Sequence, residues 1–244
     1  MKSKFLAISA AVAITAMASC GAQQTAEQFR NPQARLSSKI DSVSYALGVN
    51  IGTDFLKNMP EIDKTAFLNG MMSAMNGDTT FIFPQETAPM LIRGYIQERA
   101  QKEAKENLAE AKKFLEENKK KDGVITIDSL GGLQYQVIKE GIGPHPTIDD
   151  EVECYYTGTL TDGTVFDSTD KHPDQKPAKF TLKQVIKGWQ YGIPLMSVGS
   201  KYRFFVPPAI GYGEQVRPGG VIKANNVLIF DVELLSITPK EDKK

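Results

Sequence analysis

Residues 151–168 read EVECYYTGTLTDGTVFDS, and this stretch decides the fold class. Two runs of alternating character flank Asp162 and Gly163. Asp-Gly between such runs is a strong hairpin signal, because both residues tolerate the positive φ that a tight reversal needs. The chain is therefore expected to double back here as two antiparallel strands. Working outward, residues 133–141 (LQYQVIKEG) put Leu133, Tyr135 and Val137 on one face and Gln134 and Gln136 on the other. That is the period of a strand with one wet side. Residues 200–208 (SKYRFFVPP) and 226–237 (NVLIFDVELLSI) read as two further strands. One short helix is expected among them, around residues 185–196, and it carries Trp189, the only tryptophan of the chain. Strands without regular intervening helices imply an antiparallel sheet with one small helix over one face.

Upstream the period becomes helical. Asp41 or Ser42 is expected to cap a helix with Val43, Leu47, Ile51 and Phe55 four apart. A second starts near Asp63, aligns Phe67, Met71 and Met75, and stops at the Asn76-Gly77-Asp78 turn. Thr87 and Pro89 open a longer one, in which Ile92, Ile96, Ala100, Ala104, Leu108, Ala111 and Leu115 recur. About 30 residues at 1.5 Å each make a rod of roughly 45 Å. Its narrow, Ala-rich stripe fits either a solvated spacer or a helix that meets a partner copy at its start. The run ENKKKDG (117–123) ends it and marks a boundary.

The first 20 residues, MKSKFLAISAAVAITAMASC, place two lysines before an apolar run too short to span a bilayer comfortably. They read as an export signal ending at Cys20, and MASC resembles the lipobox of bacterial lipoproteins, with Met17 where Leu is commoner. The alternative is a secreted protein cleaved near the same place. Residues 1–19 are thus the expected signal peptide and Cys20 the lipidated residue. A polar tether follows over 20–36, then a helical section over 37–122, a β-rich domain over 123–239 and a charged tail over 240–244. The lipid would be the chain's link to a membrane of the bacterial cell envelope. Apart from Cys20, Cys154 is the only cysteine, so no internal disulfide is expected in the lipidated chain.

Lys plus Arg and Asp plus Glu cancel at 29 each, so no global field draws in nucleic acid. No nucleophile elbow, phosphate loop or zinc-helix motif is present, and the two histidines, His145 and His172, flank prolines. Neither a metal nor a cofactor is expected. What stands out is a set of aromatics after Gly123, from Tyr156 and Phe166 through Phe180, Trp189 and Tyr212 to Phe230. Such residues fill a core, or they line a concave apolar pocket.

The residues 155–168 (YYTGTLTDGTVFDS), 185–214 (VIKGWQYGIPLMSVGSKYRFFVPPAIGYGE) and 226–235 (NVLIFDVELL) closely resemble the FKBP-type peptidyl-prolyl isomerases. The match runs in order from about Leu133 to Ile237. Residues 45–55 (YALGVNIGTDF) and the long helix after them more loosely resemble the helical N-terminal domain of the macrophage-infectivity-potentiator type from bacterial envelopes. The resemblance implies an α+β fold: a half-barrel sheet wrapped around the short helix, preceded by an all-α domain with a long connecting helix. It implies catalysis of X–Pro bond rotation in exported polypeptides. Trp189 would be the platform under the prolyl ring, with Tyr156, Phe166, Phe180, Val185, Ile186 and Phe230 as walls. The Ile186 N–H and the Tyr212 hydroxyl would bond substrate carbonyls, Asp167 would border the pocket, and Ile222 would sit on the loop above it. It also implies a homodimer through the helical section.

Other readings stay open beside these. Phe180 and Phe230 suit a sealed core equally well, and Asp167 suits a loop-holding role through backbone N–H groups. Ala178 stands where many members carry an aromatic, the loop 168–177 is slightly long, and IKANN (222–226) replaces a more proline-rich turn. All three lie on the periphery, so altered affinity or sequence preference is expected rather than lost activity. Ala178 and the altered rim also motivate an alternative, an envelope chaperone that binds proline with little turnover.

Overall fold

The computed structural model describes residues 36–78, 81–171, 176–217 and 219–240. The signal peptide, Cys20, all but the last residue of the tether, His172 and residues 241–244 of the tail lie outside the described residues. By its internal contacts the chain divides into two compact units that meet between residues 82 and 83.

In the first unit, helix α1 spans Lys39–Asn58 and helix α2 spans Lys64–Met75. The α1 cap is Ser38 rather than Asp41 or Ser42. Its Oγ accepts from the Asp41 N–H at 3.1 Å, while Asp41 Oδ2 accepts from the Ser38 N–H at 2.9 Å. This is a reciprocal capping box, in which the acidic residue sits three places inside the helix and satisfies the donor behind it. Asp63 caps α2 by accepting from the Ala66 N–H at 2.9 Å. Phe55 and Phe67 join the two helices with ring centroids 4.6 Å apart. No residue of either helix is buried.

The second unit opens with helix α3, Ala88–Asn118, which has proline in its first turn. Seven strands follow among the described residues: β1 Val124–Ile127, β2 Leu133–Lys139, β3 Glu151–Thr159, β4 Val165–Ser168, β5 Ala178–Thr181, β6 Lys201–Val206 and β7 Leu228–Thr238. They form one sheet in the order β1-β2-β6-β7-β3-β4, with β5 on the same edge of β3 as β4. Every pairing is antiparallel. The β3–β4 turn forms at the expected place, with Gly163 at φ 85° and the Leu160 N–H donating to Thr164 O at 2.9 Å.

Helix α4, Lys187–Gly192, crosses the inner face of the sheet and continues as a 3₁₀ turn over Ile193–Leu195. Two glycines set how closely it lies. A Cβ on Gly188 would come 2.5 Å from Val206 Cγ1, and one on Gly192 would come 2.7 Å from Phe204 Cε1. Both residues face the sheet one helical turn apart. Gly188 therefore serves close approach, and its φ lies outside the positive region where a turn would demand glycine. The core between helix and sheet is built from Leu133, Val152, Leu182, Ile193, Met196, Phe204, Val232 and Leu234, each at most 1% exposed.

The outer face of the sheet departs from the expected alternation. Gln134 is only 3% exposed because the end of α3 covers it. Its Nε2 donates to Leu115 O at 2.9 Å, and its Oε1 accepts from Asn118 Nδ2 at 2.9 Å. Phe205 on the same face meets Phe114 of α3 at 6.2 Å. A buried amide is tolerable when both its ends are paired, as here. Among the described residues no helix is long and apolar enough to cross a membrane.

Candidate active site

Between α4 and the concave side of the sheet lies a cavity of about 480 Å³. Its floor is Trp189, the third residue of α4 and 4% exposed. Three rings stand edge-on to the indole: Tyr156 from β3 at 5.2 Å, Phe180 from β5 at 5.1 Å and Phe230 from β7 at 5.3 Å. Phe166 from β4 adds a second edge contact, 5.5 Å from Phe230. Edge-to-face pairs fix ring orientation and are each worth about 0.5–1.5 kcal/mol beyond burial. The four walls therefore hold one another upright around the floor. The indole N–H has no hydrogen-bond partner among the described residues, so no polar contact draws the floor away from the rings.

The strand register explains why these side chains meet. Gly158 on β3 pairs with both Asp167 and Phe230, which brings β4 and β7 to the same point. A Cβ at Gly158 would stand 2.5 Å from Phe166 Cε2 and 3.1 Å from Phe230 Cε1. Only a bare backbone leaves room for both rings.

One side of the cup is polar. The Tyr156 hydroxyl donates to Asp167 Oδ2 at 2.6 Å, and Asp167 Oδ1 accepts from the Ser168 N–H at 2.9 Å. Burial first, and then the bond to Asp167, push the Tyr156 phenol well above its ordinary range. It is a protonated donor at neutral pH. Asp167 thus holds a backbone N–H and also faces a cavity residue. Opposite, Val185 and Ile186 lead into α4, and Ile186 O accepts from the N–H groups of Trp189 and Gln190. Gln190 Nε2 donates to Val185 O at 2.8 Å and fixes that corner. Tyr212, 46% exposed, and half-buried Ile222 complete the rim.

All ten residues singled out for the pocket line this one cavity. Gln184 lines it as well and had not been singled out, although it directly precedes Val185, the first residue of the quoted stretch 185–214. Ala178 does not border the cavity; it pairs with Cys154 and packs on the core. Cys154 is buried, which pushes its thiol up to about 12. His145 is exposed.

An antiparallel sheet wrapped on a short helix, with an aromatic cup floored by tryptophan, defines the FKBP class of half-barrel. The chain belongs to the FKBP-type peptidyl-prolyl cis-trans isomerases, and it is a prolyl isomerase. The family described by that name matches residues 143–235, and the domain amino-terminal to such isomerases matches residues 40–137. A relative from Aeromonas hydrophila, the FKBP-type isomerase FkpA, is 40% identical over 219 residues, covering 84% of this chain and 79% of its own. The outer membrane protein MIP of Legionella longbeachae is 37% identical over 208 residues, covering 83% and 87%. The crystal structure of FkpA from Escherichia coli superposes with a TM-score of 0.64 at 30% identity, over 84% of this chain and 99% of that one.

Proposed function

We propose that the proline of a client chain stacks on Trp189 inside the ring of Tyr156, Phe166, Phe180 and Phe230, and that its X–Pro bond turns there. The single observation that supports this reading is the cup itself, three rings standing edge-on around one indole. The X–Pro bond is planar through amide resonance, with a barrier of about 18–20 kcal/mol. Twisting it localises the nitrogen lone pair and reduces charge separation. An apolar cup of the right shape favours that less polar state over the planar one. No proton leaves and no nucleophile attacks. The Ile186 N–H and the Tyr212 hydroxyl hold the carbonyls on either side of the turning bond, so binding energy is spent on orientation. The Tyr156–Asp167 pair keeps the polar wall in register. Replacing Trp189 by Leu tests the assignment with a proline-containing chromogenic peptide. The expected outcome is a loss of kcat/KM of about 100-fold with the far-ultraviolet spectrum unchanged, and a loss below threefold would refute it.

Clients are polypeptides exported to the bacterial envelope, where Cys20 carries a lipid that tethers the mature chain. The order of basic residues, apolar run and MASC supports this, and mass spectrometry of the mature N-terminus tests it. The helical section pairs with a second copy. Ile40, Val43, Tyr45, Leu47 and Leu56 of α1 are each at least 50% exposed, and no residue of α1 or α2 is buried. Most of a helix's stability comes from packing its apolar face, and these exposed residues offer such a face to a partner. A monomeric mass for the mature protein by light scattering would exclude pairing.

A further inference from the structure

Residues 219–226 form the loop that carries Ile222 to the pocket rim, and α3 holds that loop by a two-way clamp. Asn107 of α3 donates through Nδ2 to Ala224 O at 2.8 Å. Asn225 of the loop donates back through its own Nδ2 to Ala104 O at 3.0 Å. The two helix positions are three residues apart, hence on one face. Asn225 is also the meeting point of the rim, since its N–H donates to Gly213 O at 2.7 Å, next to Tyr212. It is 6% exposed and takes φ 61°, the only positive φ outside glycine among the described residues. Glycine would meet that backbone demand without strain. What asparagine adds is the donor aimed at α3. Asn107 is likewise a poor helix former in the middle of a run of Ala, Lys and Glu, where its side chain is what the position uses.

We propose that Asn107 and Asn225 are positioning residues for the isomerase site: they lock the loop to α3 so that Ile222 and Tyr212 stand at the rim before a client arrives. The long helix is then a strut of the pocket as well as a connector. This rests on the assignment of Ile222 and Tyr212 as client contacts. If the clamp keeps the rim preorganised, its loss lowers the fraction of binding-competent loop and raises apparent KM by the inverse of that fraction. The floor and walls are untouched, so kcat stays.

The test is saturation kinetics with a proline-containing chromogenic tetrapeptide on the full chain carrying Asn107→Ala, Asn225→Gly, or both, with amide hydrogen exchange over residues 219–226. Asn107→Ala improves helix propensity and Asn225→Gly keeps the positive φ, so neither change attacks the backbone. The double variant is expected to show KM raised about tenfold, as for a competent fraction near one tenth, with kcat within twofold and faster exchange confined to the loop. An unchanged KM overturns the proposal, whether or not exchange quickens. So does a parallel fall of kcat and melting temperature, which marks a merely structural role. Failure of the pocket assignment shows separately, as a kcat/KM within threefold of wild type in the Trp189→Leu variant.

Discussion

Gly158→Ala puts the register argument to its sharpest test. The added methyl would lie 2.5 Å from two atoms of the Phe166 ring and 3.1 Å from Phe230 Cε1. Phe230 is 4% exposed and hemmed in by Trp189, whereas Phe166 is half-buried at the cavity edge. The strain is therefore relieved by Phe166 swinging outward, which breaks its edge contact with Phe230. Losing that contact costs about 0.5–1.5 kcal/mol, and residual overpacking brings the total to about 2 kcal/mol. For a chain of this size that is a fall in Tm of about 4–8 °C. The effect on catalysis comes from the lost wall. If Phe166 removes roughly 50 Å² of prolyl surface from water, its absence costs about 1.2 kcal/mol at 25 cal/mol per Å². That corresponds to a kcat/KM lower by about eightfold. The chromogenic peptide assay reads the second quantity and calorimetry the first. Gly52→Ala is the control, since a Cβ there meets nothing within 4 Å, and alanine in a helix interior stabilises by up to about 1 kcal/mol. Wild-type kcat/KM in Gly158→Ala would refute the claim that bare backbone at this position shapes the cup.

Tyr156→Phe removes the donor to Asp167 Oδ2 and is expected to lower kcat/KM by about three- to tenfold, the roughly 0.7–1.4 kcal/mol of one ordinary hydrogen bond. Because burial holds the Tyr156 phenol protonated and bond rotation transfers no proton, the wild-type rate should be flat from about pH 6 to 9, and an alkaline collapse in that window would contradict the mechanism. Stability should fall on acidification. The Tyr202 hydroxyl holds Glu140 below the ordinary carboxylate range, and the Thr147 backbone N–H does the same for Asp150. A carboxylate depressed in the folded state contributes stability above its unfolded pKa and loses it as pH drops through the folded value, here below about pH 4. Thermal melts from pH 6 to 3 should show the decline, and Glu140→Gln should flatten it. Asn118→Ala strands the buried Gln134 Oε1 and should cost about 1–3 kcal/mol, read as a lower Tm with little change in isomerisation.

Local chemistry explains which parts of the fold were legible beforehand. The Asp162-Gly163 reversal, the Asp63 cap and the proline start of α3 each depend on a few neighbouring residues, and each formed where expected. Ser38 escaped because the capping box is a relation between two residues, and Asp41 by itself resembles a cap. The pocket residues were reached through a family pattern in the right order, not through periodicity. Alternation alone placed Gln134 on a wet face. It is dry because α3, some twenty residues earlier, folds back over that side of the sheet.

The sequence by itself determined the class of the protein: the two-residue period after Gly123 and the turn glycines implied an antiparallel sheet with one short helix, and the ordered run around Trp189, through its resemblance to the FKBP-type isomerases, implied the half-barrel. Tertiary structure alone decided which residues press on or bond one another across the fold. Gly188 and Gly192 matter because Val206 and Phe204 press against them, and Gly158 matters because two rings from two strands share its empty side. Asn107 and Asn225 lie 118 positions apart; Asn225 falls in the loop that carries Ile222, but nothing local marks Asn107 as its partner. Spacing along the chain encodes turns and faces, whereas a clash or a hydrogen bond across such a separation exists only once the sheet and α3 have closed on each other.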